Sequence, residues 1–247
     1  MTREHKQPEM FLSMPHPCSY LPGRVATSLF VDPRAPLDSA TYASYMRLGF
    51  RRSGDLVYRP HCRDCQACIP VRVPVTEFQP TRTQRRIVKR NTDIKIVARA
   101  PAYDPEHFAL YLRYQKHRHA GGGMDDPDPQ KYTNFLMSRH VHTVFYEMRQ
   151  RTRLLGVAVV DHLPDGLSAV YTFFDPAESK RGLGTFAVLW QIERARQLKL
   201  AWVYLGYLIR ECQKMAYKEN FRPLEAYIDG RWAPLDPDPS PTHTSYP

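Results

Sequence analysis

The chain has 247 residues, of which 43% are hydrophobic, and carries 35 Lys and Arg against 25 Asp and Glu, a formal net charge of +10. This length allows one large domain or two small ones, and the basic balance favours a polyanionic partner over a neutral metabolite. No apolar run is long enough to span a membrane, and the amino terminus has no apolar signal region, so we expect a cytoplasmic protein without a membrane partner.

The first quarter of the chain is predicted to contain a flexible arm, two strands and a helix. Residues 1–15 are polar and form the arm, and residues 25–31 form an apolar strand. Asp38 is a suitable N-cap for a helix that ends before Gly49. A turn at 50–54 then leads to a strand at 56–59.

A cysteine segment follows. Cys62, Cys65 and Cys68 are separated by two-residue gaps, which let successive thiolates face one ion or cluster, and Cys18 is the best candidate for a fourth ligand. In a cytoplasmic protein this pattern favours zinc or an iron–sulfur cluster over disulfides. The alternative is that the cysteines are reduced thiols with a structural role or none.

A strand at 71–75 precedes a short, strongly basic helix at 81–91. This helix contains no acidic residue and only two aliphatic side chains, so its like charges repel one another unless a polyanion lies across them. We therefore predict contacts with a nucleic-acid backbone, the alternative being a solvated charged face. The contacting residues would be Arg82, Arg85, Arg86, Lys89 and Arg90.

The middle of the chain is predicted to alternate between strands and helices. Asp-Pro pairs begin helices at 104–117 and 128–137, because aspartate caps a helix and proline suits its first turn. The segment 117–124 is predicted to be a flexible basic loop. Strands are expected at 94–98, 141–148 and 154–161.

The last part of the chain reads as strand, basic glycine loop, helix and strand, at 169–174, 180–184, 185–198 and 201–205. Such crossover units usually lie within one sheet. Gly182 and Gly184, together with Lys180 and Arg181, would form an anion site at the start of the helix. The alternative is that Gly182 only relieves the turn and Arg181 is solvated. A last strand is expected near Tyr227, and the tail from 234 to 247 should be disordered.

Eight blocks in this order resemble the arginyl-tRNA-protein transferase family. They are CSYLPGR, the CxxCxxCIPVRV segment, EFQPTRTQRR, YQxxxH, SAVYTFFDP, GLGTF, YLGYLI and CQKMAYKENFRP, spread over residues 16–235. The resemblance is greatest to the bacterial branch. It implies transfer of leucine from leucyl-tRNA to the N-terminal α-amine of proteins that begin with Asp or Glu. The product would enter N-degron degradation, with a downstream protease adaptor as a further partner.

The resemblance also implies a fold. It predicts an α/β (α+β) protein with a Gcn5-related, acyltransferase-like mixed sheet flanked by helices and a smaller cysteine-containing N-terminal part. The corresponding division is an N-terminal domain at 16–98 and an acyltransferase-like domain at 99–233.

The cofactor implied by the family does not carry over directly. Arginine-transferring members hold an iron–sulfur cluster on a Cys-x-x-Cys motif and an adjacent cysteine pair. Here Leu21 replaces the second cysteine of the first motif, and the second motif is spread over Cys62, Cys65 and Cys68. The transfer itself needs no cofactor, so zinc, a cluster and free thiols all stay open.

The reaction implied by the resemblance demands positioning and oxyanion stabilisation more than a strong base. We hypothesise that the reacting centre combines Tyr171 and Asp175 with the turn from Gly182 to Gly184 and with Tyr204 and Tyr207 on the next strand. Asp175 would accept the ammonium proton, and the backbone N–H groups of the turn would hold the oxyanion. The alternative is that Tyr171 and Tyr204 are core aromatic residues and Asp175 only caps a turn.

Both substrates of such an enzyme carry negative charge. Arg72, His119 and Arg222 are candidates for binding the acidic side chain of the acceptor. The tRNA backbone would contact Lys180, Arg181 and Lys214 in addition to the basic helix.

Three other functions are weighed against leucyl transfer. They are arginine transfer from arginyl-tRNA, an acyl-CoA N-acetyltransferase, and a non-catalytic RNA-binding module with a zinc site. An acetyltransferase would use the crossover unit to hold a pyrophosphate, but it would need neither the basic helix nor the cysteines. An RNA-binding module would have no use for the YLGY and KMAYK blocks.

Overall fold

A computed structural model describes residues 8–118 and 128–236 of the chain. The N-terminal elements are β1 (Met10–Leu12), β2 (His16–Pro17), β3 (Val25–Ala26), β4 (Ser28–Val31), α1 (Ser39–Arg47), β5 (Arg51–Ser53), β6 (Leu56–Pro60), β7 (Ile69–Pro74) and α2 (Arg82–Arg90). The central elements are β8 (Lys95–Arg99), α3 (Pro105–Arg118), α4 (Pro129–Leu136), β9 (His142–Gln150) and β10 (Arg153–His162). The C-terminal elements are β11 (Gly166–Phe174), α5 (Leu183–Gln197), β12 (Trp202–Leu208), α6 (Gln213–Ala216), β13 (Glu225–Ile228) and β14 (Arg231–Pro234).

Most of the strands join one eight-stranded sheet with the order β14-β13-β7-β12-β11-β10-β9-β8. Neighbouring strands in this sheet are antiparallel, except β11 and β12. These two are parallel and are connected by the crossover helix α5. A smaller sheet, β1-β4-β6-β5, and the pair β2-β3 belong to the N-terminal part. The predicted fold class is confirmed, because a mixed sheet flanked by helices carries a smaller N-terminal part with the cysteines.

Helices cover the large sheet on both faces. On one face α5 and the partly buried Ile87 of α2 pack on the main core, which includes Val73, Leu167 and Val203. On the other face α3 and α4 cover Phe145 and Phe173, while α1 closes a separate core. The sheet is therefore buried on both sides, and a cleft in it can lie out of water.

The sequence predicted most of these elements to within a few residues. Four strands were missed, β1, β2, β5 and β14, as was the short helix α6, and the predicted strand at 25–31 is divided into β3 and β4. Strand β5 has only three residues, two of them arginines, and Gly54 follows it with a φ of +60°, so its pattern resembles a turn. It forms a strand because it pairs with β6.

The domain division at 98/99 stays a prediction. Strand β7 precedes that boundary and β8 crosses it, and both belong to the large sheet. Within the predicted arm, β1 pairs with β4, while residues 1–7 lie outside the described residues. The predicted loop at 117–124 is described only through residue 118, and the predicted tail only through residue 236. In the described ranges no helix has the length and apolar character needed to cross a membrane.

Candidate active site at a fork in the large sheet

The parallel strands β11 and β12 pair only over their first residues. The register joins Gly166 to Trp202 and Ser168 to Tyr204, after which the two strands make no further pairs with each other. We call the opening between residues 169–174 of β11 and 205–208 of β12 the fork. Backbone groups at such unpaired edges need other partners when they are buried.

Arg51 of β5 enters the fork from the N-terminal part. Its Nη1 donates to Ser168 Oγ at 3.0 Å and its Nη2 donates to the carbonyl of Ala169 at 2.6 Å. Gly206 of β12 has a φ of +82°, and a Cβ there would lie 3.2 Å from Arg51 Nε. A glycine at this position therefore lets the strand turn and lets the guanidinium lie against its backbone.

Lys218 fills the β12 side of the fork. The side chain is buried, with the residue 4% exposed, and Nζ donates to the carbonyl of Tyr207 at 2.6 Å. Met215 Sδ lies 3.5 Å from Nζ, and the Tyr217 ring lies 5.2 Å from it. Burial, and then the positive charge of Arg51, lower the pKa of Lys218 to about 7.

The two cations of the fork have no acidic partner in the described parts of the chain. Arg51 is held by a hydroxyl and a carbonyl, and Lys218 by a carbonyl. The groups whose charges act on Lys218 are Arg51 and the thiols of Cys68 and Cys212, with no carboxylate among them. The fork is therefore an electropositive site in which Lys218 is buried and Arg51 is half-buried.

Tyr171 lies on β11 in an aromatic cluster beside this opening. Its ring centroid is 6.2 Å from that of Tyr111, 6.4 Å from that of Tyr114 and 5.1 Å from that of Phe135. The hydroxyl is buried, and burial raises the pKa of Tyr171 well above its usual value. Gln115, a fully buried residue of α3, lies beside the hydroxyls of Tyr171 and Tyr111.

Asp175 caps the turn that follows β11. Its Oδ1 accepts from the N–H of Ala177 at 3.0 Å, and its Oδ2 lies 2.7 Å from Arg153 Nη2. Burial acts to raise the pKa of Asp175, but the Arg153 guanidinium and the Ala177 N–H outweigh it and hold the pKa below its usual value. A carboxylate in this state is a weak proton acceptor at neutral pH.

The two tyrosines of β12 have structural partners. Tyr204 OH donates to Asp165 at 3.2 Å, and Tyr207 OH lies 3.1 Å from the carbonyl of Gly49. Tyr204 pairs with Ser168, seven residues before Asp175, which corresponds to about 23 Å along the strand. The structure therefore does not bring Tyr204 and Asp175 together in one reacting centre.

The glycine turn docks against the end of the basic helix. Gly182 has a φ of +67° and precedes α5, and Gly184 packs against Phe174. Arg181 is paired with Asp93 at 2.9 Å and with Glu178 at 2.9 Å, while the carbonyl of Lys180 accepts from Arg90. The predicted tRNA contacts of α2 and of the turn thus form one surface. The charged residues of α2 are exposed, and Lys214 is exposed on α6.

The predicted acceptor-binding cations have other roles or lie elsewhere. Arg72 is paired with Glu225 at 2.6 Å, and its guanidinium carbon lies 3.5 Å from the Trp202 ring and 4.3 Å from the Trp232 ring. Arg222 donates to the carbonyl of Leu235 and lies 3.3 Å from Glu219. His119 lies outside the described residues.

The cysteines cluster near the fork without forming a metal site in this structure. All five are free, and Cys18, Cys65, Cys68 and Cys212 pack around Tyr207 and Ile209. In the described ranges no three His, Cys, Asp or Glu residues are arranged to hold a metal ion. Burial, and then the neighbouring thiols, raise the pKa of Cys68 to about 12, so its donor is a thiol rather than a thiolate. The zinc or iron–sulfur site stays a prediction.

The sequence reasoning missed Arg51 and Lys218 as site residues. Lys218 lies in the KMAYK block, where a lysine directly after Met215, Ala216 and Tyr217 is a usable signal. Arg51 stands in a segment that reads as a turn. No local pattern relates it to Ser168, which is 117 residues away in the chain.

Comparisons with known proteins match the chain almost throughout. The model of the arginine-tRNA-protein transferase N terminus matches residues 16–86, and that of the C terminus matches residues 106–228. An aspartate/glutamate leucyltransferase of Pseudomonas aeruginosa is 49% identical over 227 residues, covering 92% of this chain and 97% of that protein. One of Pseudomonas fluorescens is 50% identical over 228 residues with the same coverage.

One solved structure, the C-terminal domain of a putative lysylphosphatidylglycerol synthetase from Agrobacterium fabrum, matches 69% of this chain and 58% of that chain. Its sequence identity is 12% and its TM-score is 0.47, which is too weak a likeness to assign a fold.

Proposed function

The chain belongs to the arginine-tRNA-protein transferase family, and we propose that it transfers leucine from leucyl-tRNA to the N-terminal α-amine of proteins that begin with Asp or Glu. The observation that carries the choice of leucine and of acidic acceptors is the identity of 49% to 50% with aspartate/glutamate leucyltransferases along nearly the whole length of both chains. As a member of this family the protein is an aminoacyl-tRNA-protein transferase, with a tRNA and a protein as its substrates.

The reaction is the aminolysis of an ester. The amine nitrogen bonds to the leucyl carbonyl carbon, the bond from that carbon to the ribose oxygen breaks, the amine loses a proton and the ribose oxygen gains one. The activated ester makes this downhill without ATP. With an α-amino pKa of about 7.7 to 8.0, roughly a tenth to a fifth of the acceptor is neutral at pH 7. Orientation in a dry site therefore contributes more than a strong base.

The fork is the part of the molecule best suited to this reaction. It has two strand edges that do not pair with each other, and two cations that favour an anionic substrate or transition state. Asp175 is an unfavourable base because it is already paired with Arg153. We propose that the leucyl ester and the acceptor amine meet in the fork.

The surface formed by α2 and the turn at 180–184 supports tRNA binding. The basic side chains of α2 are exposed along this surface, which suits contacts with phosphates. Since aminoacyl-tRNA is a cytoplasmic substrate, a cytoplasmic location belongs to the proposal. Recognition of the leucylated product by a protease adaptor belongs to it as well.

The test is transfer of radiolabelled leucine, and separately arginine, from charged tRNA to peptides beginning with Asp, Glu, Lys or Ala, without ATP. Leucine on the Asp and Glu peptides alone is the expected result. If arginine is transferred and leucine is not, the proposed amino acid becomes arginine. If tRNA binds but neither amino acid is transferred, the proposed activity is wrong.

A further inference from the structure

The fork holds two cations, half-buried Arg51 and buried Lys218, without a counter-ion among residues 8–118 and 128–236. The Arg51 guanidinium lies against Gly206, where a Cβ would be 3.2 Å from Nε, and Lys218 Nζ donates to the carbonyl of the next residue, Tyr207. Burying like charges together is unfavourable, because each loses hydration and each repels the other. A neutral carbonyl on each of them offsets only part of this cost. Such an arrangement is typical of a site that a substrate's negative charge completes.

We propose that Arg51 and Lys218 bind the side-chain carboxylate of the acceptor protein's first residue. This inference rests on the proposed function, which requires that the enzyme distinguish Asp and Glu from neutral residues. It replaces Arg72 and Arg222 in that role, because Glu225 neutralises the first and Glu219 pairs with the second.

Arg51 retains donors for a carboxylate. A guanidinium has five N–H groups, and this one uses one hydrogen of Nη1 for Ser168 and one of Nη2 for the Ala169 carbonyl. The Nε–H and the second hydrogen on each terminal nitrogen have no partner in the described residues. A bidentate bond to a carboxylate needs only two neighbouring donors.

Arg51 is also held in place before any substrate binds. The next residue, Arg52, forms a buried ion pair with Asp161 that fixes β5 against β10. Ser168, Ala169 and the backbone of Gly206 then set the position of the guanidinium. A preformed cation of this kind costs little to order on binding.

Lys218 responds to the occupant of the fork. The titratable or charged groups that face it are Arg51 from β5, Cys68 from the segment before β7, Cys212 from the segment before α6 and the adjacent Tyr217. None of these groups is a carboxylate. A bound carboxylate would do so, and it would favour the protonated amine against the repulsion by Arg51.

Among the anions of the reaction, the acceptor side chain fits this site best. A tRNA phosphate is part of a large chain, whereas Lys218 is almost fully buried and can be reached only by a small group. The oxyanion of the transition state exists too briefly to offset the repulsion for as long as the acceptor is bound. A carboxylate that is present throughout binding does offset it.

The experiment measures kcat and KM for peptides that begin with Asp and for matched peptides that begin with Asn, at saturating leucyl-tRNA. The variants are Arg51→Met, Arg51→Lys and Lys218→Met. Arg59→Met is the matched control. Arg59 lies on β6, the strand that pairs with β5, and its guanidinium lies over the Phe50 ring. We expect kcat/KM for the Asp peptide to fall about 30-fold or more in Arg51→Met while the Asn peptide changes little. Arg51→Lys should lie in between, and Arg59→Met should match the wild type.

Two outcomes would overturn the inference. An equal loss of kcat for both peptides would mean that the two cations stabilise the transition state. An unchanged preference for Asp over Asn would mean that the acceptor carboxylate binds outside the fork. Should Arg51→Met fail to fold, Arg51→Lys decides between these results. Competition by unlabelled Asp and Asn peptides on the wild type, measured by fluorescence anisotropy, must also show preference for Asp. Failure of the proposed function would appear separately, as an absence of leucine transfer by the wild type.

Discussion

Removing the carboxylate of Asp161 should destabilise the whole protein, because this group neutralises a buried arginine. Arg52 Nε lies 2.7 Å from Asp161 Oδ2, and Nη2 lies 2.7 Å from Oδ1, with side-chain exposures of 1% for the arginine and 0% for the aspartate. Asp161 also accepts hydrogen bonds from Tyr42 and Thr143. In Asp161→Asn the shape is kept, but the guanidinium stays buried without a counter-charge.

The expected loss is about 3 to 5 kcal/mol in the free energy of unfolding, the usual cost of removing one partner from a buried ion pair. For a chain of this size each kcal/mol corresponds to roughly 2 to 4 °C in Tm, which gives a decrease of roughly 6 to 20 °C. Urea unfolding followed by circular dichroism measures the free energy, and a thermal scan measures Tm.

A double variant, Arg52→Met with Asp161→Leu, is the control. It removes both charges and fills the site with apolar side chains, so we expect it to be more stable than Asp161→Asn alone. The reasoning would be refuted if Asp161→Asn cost less than about 1 kcal/mol, or if the double variant were the less stable of the two. Either result would mean that the charge of Arg52 is solvated in a way that the structure excludes.

Three further predictions concern pH, tRNA and the base hypothesis. Hydrogen bonds and charges from neighbouring arginines, and a bond from His107, lower the pKa of Glu147 from 4.5 to about 2. Its stabilisation is therefore present above pH 4.5 and is lost as the pH falls towards 2. Going from pH 6 to pH 3 should cost the wild type roughly 2 kcal/mol more than Glu147→Gln in urea unfolding. Replacing Arg82, Arg86 and Lys89 by Gln should lower the slope of log tRNA affinity against log salt by about 2 to 3, and an unchanged slope would remove α2 from the tRNA surface. Asp175→Asn should keep kcat within about 3-fold at saturating acceptor, since its ion pair makes it a weak base; a 100-fold loss would restore it as the base.

The sequence is sufficient for the elements whose signals are local. Helix α2 begins at the Thr81 cap and ends near Asn91, close to the predicted 81–91. The crossover unit was read correctly because each of its parts has its own period or turn residue. The fold class was predicted from the ordered motifs, which follow nearly the whole chain.

The candidate site could not be predicted in the same way, since it depends on distant pairings. Arg51 bonds to residues 117 and 118 positions away, and nothing near it in the chain distinguishes it from other surface arginines. Conversely, Arg72 was a reasonable candidate for an acidic ligand until its neighbours were known. Glu225 and the two tryptophans reach it only because β7 pairs with β12 and β13.

The fork also explains why the two parts of the chain that match separate family models act as one enzyme. The N-terminal match ends at residue 86 and includes Arg51 and β7, while the C-terminal match begins at residue 106 and includes Lys218 and both strands of the fork. Strand β7 lies between β12 and β13, so the C-terminal strands are not continuous in the sheet without it. Each half contributes one cation to the fork, and each cation is held by a backbone carbonyl of the C-terminal half. Recognition of the acceptor therefore depends on the contact between the two halves rather than on either of them.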